Sequence, residues 1–116
     1  MATDDYRIRW TGPYAIIAMP AEIDITNADE IRQALLSAAS NGAAVLIIDM
    51  SETTFCDSAG VRAIIAAQKQ AKATGIQLRA AATEVLRILT VTGTDQLIPV
   101  YPTLEAALDG GTGPPA

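Results

Sequence analysis

Ser58, preceded by Asp57 and followed one helical turn later by Arg62, is the group in this 116-residue chain best placed to do chemistry. The apolar run Val45–Ile48 is rich in β-branched residues and too short for a buried helix, so it reads as a strand. A polar loop follows it, and the apolar periodicity after Gly60 is helical. A hydroxyl at that junction stands where backbone N–H groups lack partners and the helix dipole is positive. Such a place accommodates an added phosphate, which makes Ser58 a candidate switch. The same serine also fits an ordinary N-cap hydroxyl. Asp57 reads as a helix-cap carboxylate stabilising the dipole. Arg62 lies about 6 Å further along the axis, where it can meet a phosphate, meet a partner's acid, or remain solvated.

Catalysis by Ser58 itself is disfavoured. The chain has no histidine, which removes the commonest general base and the commonest metal ligand. Lys69 and Lys72 lie about three or more helical turns from Ser58, too far to activate it. Neither a Walker pattern nor a dinucleotide fingerprint can be written onto the sequence. The expectation is therefore no catalytic residue, no metal site and no cofactor, with Ser58 the substrate of another enzyme.

The positioning elements can be read from periodicity. Tyr6–Trp10 alternates as an edge strand, Thr11-Gly12-Pro13 turns, and Tyr14–Met19 is its antiparallel neighbour. Asn27 is placed to cap a helix, with Glu30 at capping-box spacing and Ala28, Ile31, Leu35 and Ala38 as the apolar stripe, stopped at Asn41-Gly42. Val45–Asp49 reads as a strand buried on both faces. The helix after it runs from about Ala59 to Ala73, with Val61, Ile64 and Ile65 inward and Gly75 as terminator. Ile76–Ala80 alternates as a strand, and Thr83 is placed to cap a short helix closed at Gly93. Leu97–Tyr101 reads as a last strand, at an edge because of Pro99, and Thr103 starts a final helix through Leu108. Asp24 follows the second strand, so it belongs to the rim that carries the 49–57 loop. There it serves either as a functional acid or as a loop carboxylate organising Thr26 and Asn27. The order predicts an α/β fold with a mixed sheet of about five strands and about four helices, joined by right-handed crossovers where strands are parallel.

Bulk properties narrow the class. Half the residues are hydrophobic and aromatics are few, so one aliphatic core is expected over residues 1–108, with a disordered Gly/Pro tail at 109–116. The net charge of −5 without a basic cluster disfavours nucleic acid and anionic membranes. Cys56, the only cysteine, reads as a small core residue rather than a redox sensor. Met-Ala-Thr-Asp-Asp lacks the apolar core of a signal peptide, and Ala43–Ile48 is far short of a membrane span. A soluble, cytoplasmic monomer is expected.

Phe55-Cys56-Asp57-Ser58-Ala59-Gly60-Val61 resembles the phosphorylation-site signature of STAS domains of the bacterial anti-sigma factor antagonist type. Pro20-Ala21-Glu22-Ile23-Asp24-Ile25-Thr26-Asn27-Ala28 resembles that family's first strand-to-helix turn, with Pro20-Ala21 where many members carry glycine. Leu86–Gly93 resembles its third helix and following glycine, and together the segments span roughly residues 6 to 108. The resemblance implies the STAS fold, with Ser58 as phosphoacceptor and Asp24 facing its loop. It makes Asp24, Asp57, Ser58, Ala59, Gly60 and Arg62 partner contacts, and Ala59 leaves Ser58 as the one hydroxyl of the motif that can be modified. It further implies partner switching. The unphosphorylated chain would bind an anti-sigma factor with Ser/Thr kinase activity, Mg-ATP would belong to that partner, and a phosphoserine phosphatase would reset the switch. The rival readings are a STAS module of a stress-signalling or transporter-associated complex and, further off, a small nucleotide-binding domain.

Overall fold

The computed structural model describes residue 6 and residues 8–110. The elements in chain order are β1 (Ile8–Thr11), β2 (Tyr14–Ala18), β3 (Glu22–Ile23), α1 (Ala28–Ala39), β4 (Val45–Met50), β5 (Phe55–Cys56), α2 (Ser58–Thr74), β6 (Gln77–Ala82), α3 (Leu86–Val91), α4 (Thr94–Leu97), β7 (Val100–Tyr101) and α5 (Leu104–Leu108). The main sheet is five-stranded in the order β1-β2-β4-β6-β7. β1 pairs antiparallel with β2, and every other neighbouring pair is parallel. This is the mixed sheet expected from the sequence, although with five helices and an added two-stranded sheet, β3-β5. The part of the expected tail from residue 111 lies outside the described residues.

The central strand shows why it reads as an unbroken apolar run. Leu46, Ile48 and Met50 enter the larger core cluster with Ile31 and Leu35 of α1 and Ile64 of α2. Val45 and Ile47 enter a second cluster with Ala107 of α5. Each face is thus covered by helices, so both sets of alternate side chains are apolar until the half-buried Asp49 at the carboxyl end. The stripe Ala28, Ile31, Leu35 and Ala38 is buried as the spacing predicts. Gly75, at φ 81°, closes α2, and the Ile76 N–H returns to Ala71 O at 2.8 Å.

Several local expectations are corrected. β6 does not alternate between covered and open faces, because α5 folds back over its second side: Arg79 is only 5% exposed. Its guanidinium donates to Ala107 O at 2.7 Å and to Gln77 Oε1 at 3.2 Å, and sits 5.5 Å from the Tyr14 ring centre. Asn27 occupies the N-cap position of α1 without a side-chain cap. Its Oδ1 accepts from Asp24 N at 3.0 Å and its Nδ2 donates to Glu22 O at 2.8 Å, so the preceding loop has taken both groups. Thr83 does not cap α3; its hydroxyl bonds Pro102 O at 3.0 Å, and Val85 holds the cap position. The last strand shrinks to Val100–Tyr101 because Leu97 ends α4 instead, though β7 does lie at the sheet edge.

Candidate functional site

The site forms at the carboxyl ends of β2 and β4, where two loops are laced together. Met19 N–H bonds Asp49 O at 2.9 Å, and beyond it the chain forms the small parallel pair β3-β5, Glu22 opposite Phe55 and Ile23 opposite Cys56. The fully buried Thr53 donates its hydroxyl to Pro20 O at 2.8 Å, Thr54 N–H bonds Ala21 O at 2.8 Å, and Asp57 N–H bonds Ile23 O at 3.0 Å. Asp24 follows β3 as Asp57 follows β5, so the lacing brings residues from distant sequence positions to one rim. Pro20 serves here as a pure acceptor, a role its missing N–H does not impair.

Asp57, not Ser58, caps α2. Its backbone is extended, and its Oδ1 accepts from Ala59 N at 2.9 Å and from Gly60 N at 3.1 Å. Ser58 is therefore the first helical residue, exposed, and its hydroxyl has no hydrogen-bond partner among the described residues. The N-cap reading of Ser58 falls, and the helix-cap reading of Asp57 holds. Arg62, one turn on, shares a shallow cleft of about 250 Å³ with Ile25, Ala28, Ala59 and Arg32. Arg32 is paired with Asp29 at 2.8 Å, whereas Arg62 makes no ion pair among the described residues. Ile25 projects from the loop with 76% of its surface exposed, an apolar side chain on a charged rim that periodicity had not singled out.

Gly60 and Cys56 belong to the packing beneath. A Cβ on Gly60 would stand 2.5 Å from Ile23 Cγ2 and 2.7 Å from Cys56 Sγ, so α2 approaches the β3-β5 pair as closely as its backbone allows. Cys56 is buried; desolvation, helped by the charge of Asp57, pushes its thiol up to about 11. A thiol held that high is protonated at neutral pH and offers little reactive thiolate.

Asp24 is the organising carboxylate of its loop: Oδ1 accepts from Thr26 N at 2.9 Å and from the Thr26 hydroxyl. These bonds, the side-chain one foremost, hold its carboxyl below the ordinary 3.8. A pKa lowered by folding stabilises the folded loop above the unfolded value, and that contribution disappears as pH falls through the lower folded value. The Thr26 amide resonance is therefore expected to titrate with a midpoint below 3.8, with faster amide exchange on the acid side; Asp24→Asn should abolish the titration.

The STAS domain profile matches residues 6–107. A Mycobacterium tuberculosis protein provisionally named an anti-anti-sigma factor is 31% identical over 110 residues, covering 91% of this chain and 74% of the relative. The crystal structure of an anti-sigma factor antagonist from Mycobacterium paratuberculosis superposes with a TM-score of 0.80 at 27% identity, covering 90% of this chain and 91% of the other. The Bacillus cell fate determinant SpoIIAA in its phosphorylated form shares the fold, with a TM-score of 0.67 at 19% identity over 91% of this chain and 98% of its own. Sheet order, the exposed serine at the head of α2 and these likenesses agree: the chain belongs to the STAS domain family.

Proposed function

We propose that this chain is an anti-sigma factor antagonist that works by partner switching at Ser58. The observation that carries the reading is the exposed, unpartnered Ser58 hydroxyl beside a helix terminus already capped by Asp57. The relatives named as anti-sigma factor antagonists support it, as does a fold shared with SpoIIAA, which has been solved in phosphorylated and unphosphorylated forms. The unphosphorylated rim, with Asp24, Asp57, Ser58, Ala59, Gly60 and Arg62, binds an anti-sigma factor with Ser/Thr kinase activity. That partner transfers a phosphoryl group from its own Mg-ATP to Ser58 Oγ, and a phosphatase removes it.

The Asp57 cap determines how the phosphate acts. With Asp57 Oδ1 on the Ala59 and Gly60 amides, a phosphate on Ser58 cannot take those donors without displacing it. The dianion, about −1.5 to −2 charges at neutral pH, therefore stays on the surface. One like-charge contact at 4 Å costs about 1 kcal/mol in water-like surroundings and about 4 kcal/mol at an effective dielectric of 20. A hundredfold loss of affinity needs about 2.7 kcal/mol, so contact repulsion suffices without refolding.

The test is a paired capture from native lysate with wild-type and Ser58→Glu baits, read by mass spectrometry. A kinase-type anti-sigma factor is expected on wild type and lost, roughly a hundredfold weaker, on the charged variant, whose circular dichroism stays native. The captured kinase should label wild type with Mg-ATP and leave Ser58→Ala unlabelled. Equal capture by both baits, or no kinase-type partner, overturns the reading.

A further inference from the structure

Between β5 and α3 runs a groove of about 490 Å³, lined by the apolar side chains of Phe55, Val85, Ile88 and Val91, with Glu84 and Arg87 contributing one charge of each sign. Phe55 is 50% exposed and Val91 72% exposed. We infer that this groove is the apolar half of the anti-sigma factor's docking surface, taking an apolar side chain of that partner between Phe55 and Val91. The inference rests on the anti-sigma factor partner of the proposed function, not on the Ser58 switch, and adds where the binding energy lies.

Continuity with the phosphoacceptor loop argues for this occupant. Phe55 stands three residues before Ser58, so their Cα atoms are at most about 11 Å apart. A stable interface covers about 800 Å² on each partner, which corresponds to a disc about 16 Å in radius. An interface of that size centred on Ser58 therefore extends as far as Phe55, which forms a wall of the groove. The two sides of the loop then differ in kind. The α1–α2 cleft offers Ile25 among Asp29, Arg32 and Arg62, a charged rim. The groove offers an aromatic ring and aliphatic side chains whose flanking charges cancel, the composition of an interface core. A second copy of this chain fits the groove less well, because each copy carries a net charge of −5 and a self-contact here would bring two acidic Ser58 loops together.

The experiment is calorimetric titration of the purified anti-sigma factor identified by wild-type capture, using wild type, Ser58→Glu, Val91→Arg and Val91→Thr. Val91 is exposed, so its variants should melt as wild type does. Val91→Arg is expected to bind at least tenfold more weakly, with Val91→Thr close to wild type. If Ser58→Glu weakens binding and Val91→Arg does not, the groove inference is overturned while the switch stands. If Val91→Arg alone weakens binding, the groove stands and the switch falls. If wild type captures no anti-sigma factor, both fall; if Val91→Arg weakens only a self-association seen by ultracentrifugation, the occupant is a second copy and the inference is overturned.

Discussion

Gly60→Val is expected to unfold the rim that carries Ser58, and Gly60→Ala to weaken it. In a helix, glycine to alanine ordinarily stabilises by about 1 kcal/mol, so the sign here is decided by space. The new Cβ would stand 2.5 Å from Cγ2 of Ile23, a side chain with no exposed surface, and 2.7 Å from Cys56 Sγ, against an ordinary carbon contact of about 3.5 to 4 Å. Neither neighbour is the free end of a long side chain, so the β3-β5 pair itself must move. Overpacking of this kind costs about 1–3 kcal/mol and occasionally more. Gly60→Ala should thus lose up to about 2 kcal/mol net, lowering the melting temperature by up to roughly 16 °C, and the branched valine should lose more. A double-mutant cycle gives the decisive reading: Gly60→Ala with Ile23→Ala should be less destabilised than the two single variants added together. Strict additivity would show that the helix does not bear on Ile23.

Arg79→Met is the second large effect, and it concerns the far face of the sheet. Arg79 is a buried cation whose identified polar contacts are neutral acceptors: Ala107 O at 2.7 Å, Leu108 O at 3.5 Å and Gln77 Oε1 at 3.2 Å. Its Nε, buried, has no hydrogen-bond partner among the described residues. Two effects oppose each other. Removing a buried charge relieves desolvation, and an apolar residue of similar volume leaves little cavity. Against that, the substitution takes the charged donor from Ala107 O, leaving it the Gly110 N–H at 3.3 Å, and from Leu108 O; a hydrogen bond from a charged donor contributes about 1.5–3 kcal/mol. Because α5 spans only Leu104–Leu108, those carbonyls have few other donors, and the second effect should win by about 2 kcal/mol. Amide exchange distinguishes the outcomes. Protection in α5 should collapse in Arg79→Met while that of α2 falls only with global stability; uniform protection would mean the charge is a net burden.

The parts of the fold legible in the sequence are those whose burial is periodic. Val45–Ile48, the α1 stripe and the run from Val61 to Gly75 announce themselves because one or both faces must be apolar. Asp57, Ser58 and Arg62 were readable as a group for the same reason, since the helix that carries them is. The lacing of the site was not. β3 and β5 are two residues each, shorter than any alternation can reveal, and Thr53 lies in a polar run yet is fully buried through a bond to a residue 33 positions away. The division of roles between Asp57 and Ser58 was likewise hidden: both can cap, and only the extended backbone of Asp57 decides which one does. Arg79 was misplaced because strand alternation cannot foresee a five-residue helix returning over the sheet.

The lacing has a kinetic consequence. Thr53 to Pro20 and Thr54 to Ala21 each close a loop of 33 residues, and that loop contains all of α1 and β4. Bonds of such sequence separation carry a closure entropy that local turns and helices do not, and such contacts slow folding. Asp24 and Asp57, which follow the two strands so paired, share a rim only where that closure has been made. A surface that spans both loops therefore exists only once the β3-β5 pair has closed, whatever the order in which the rest of the chain docks.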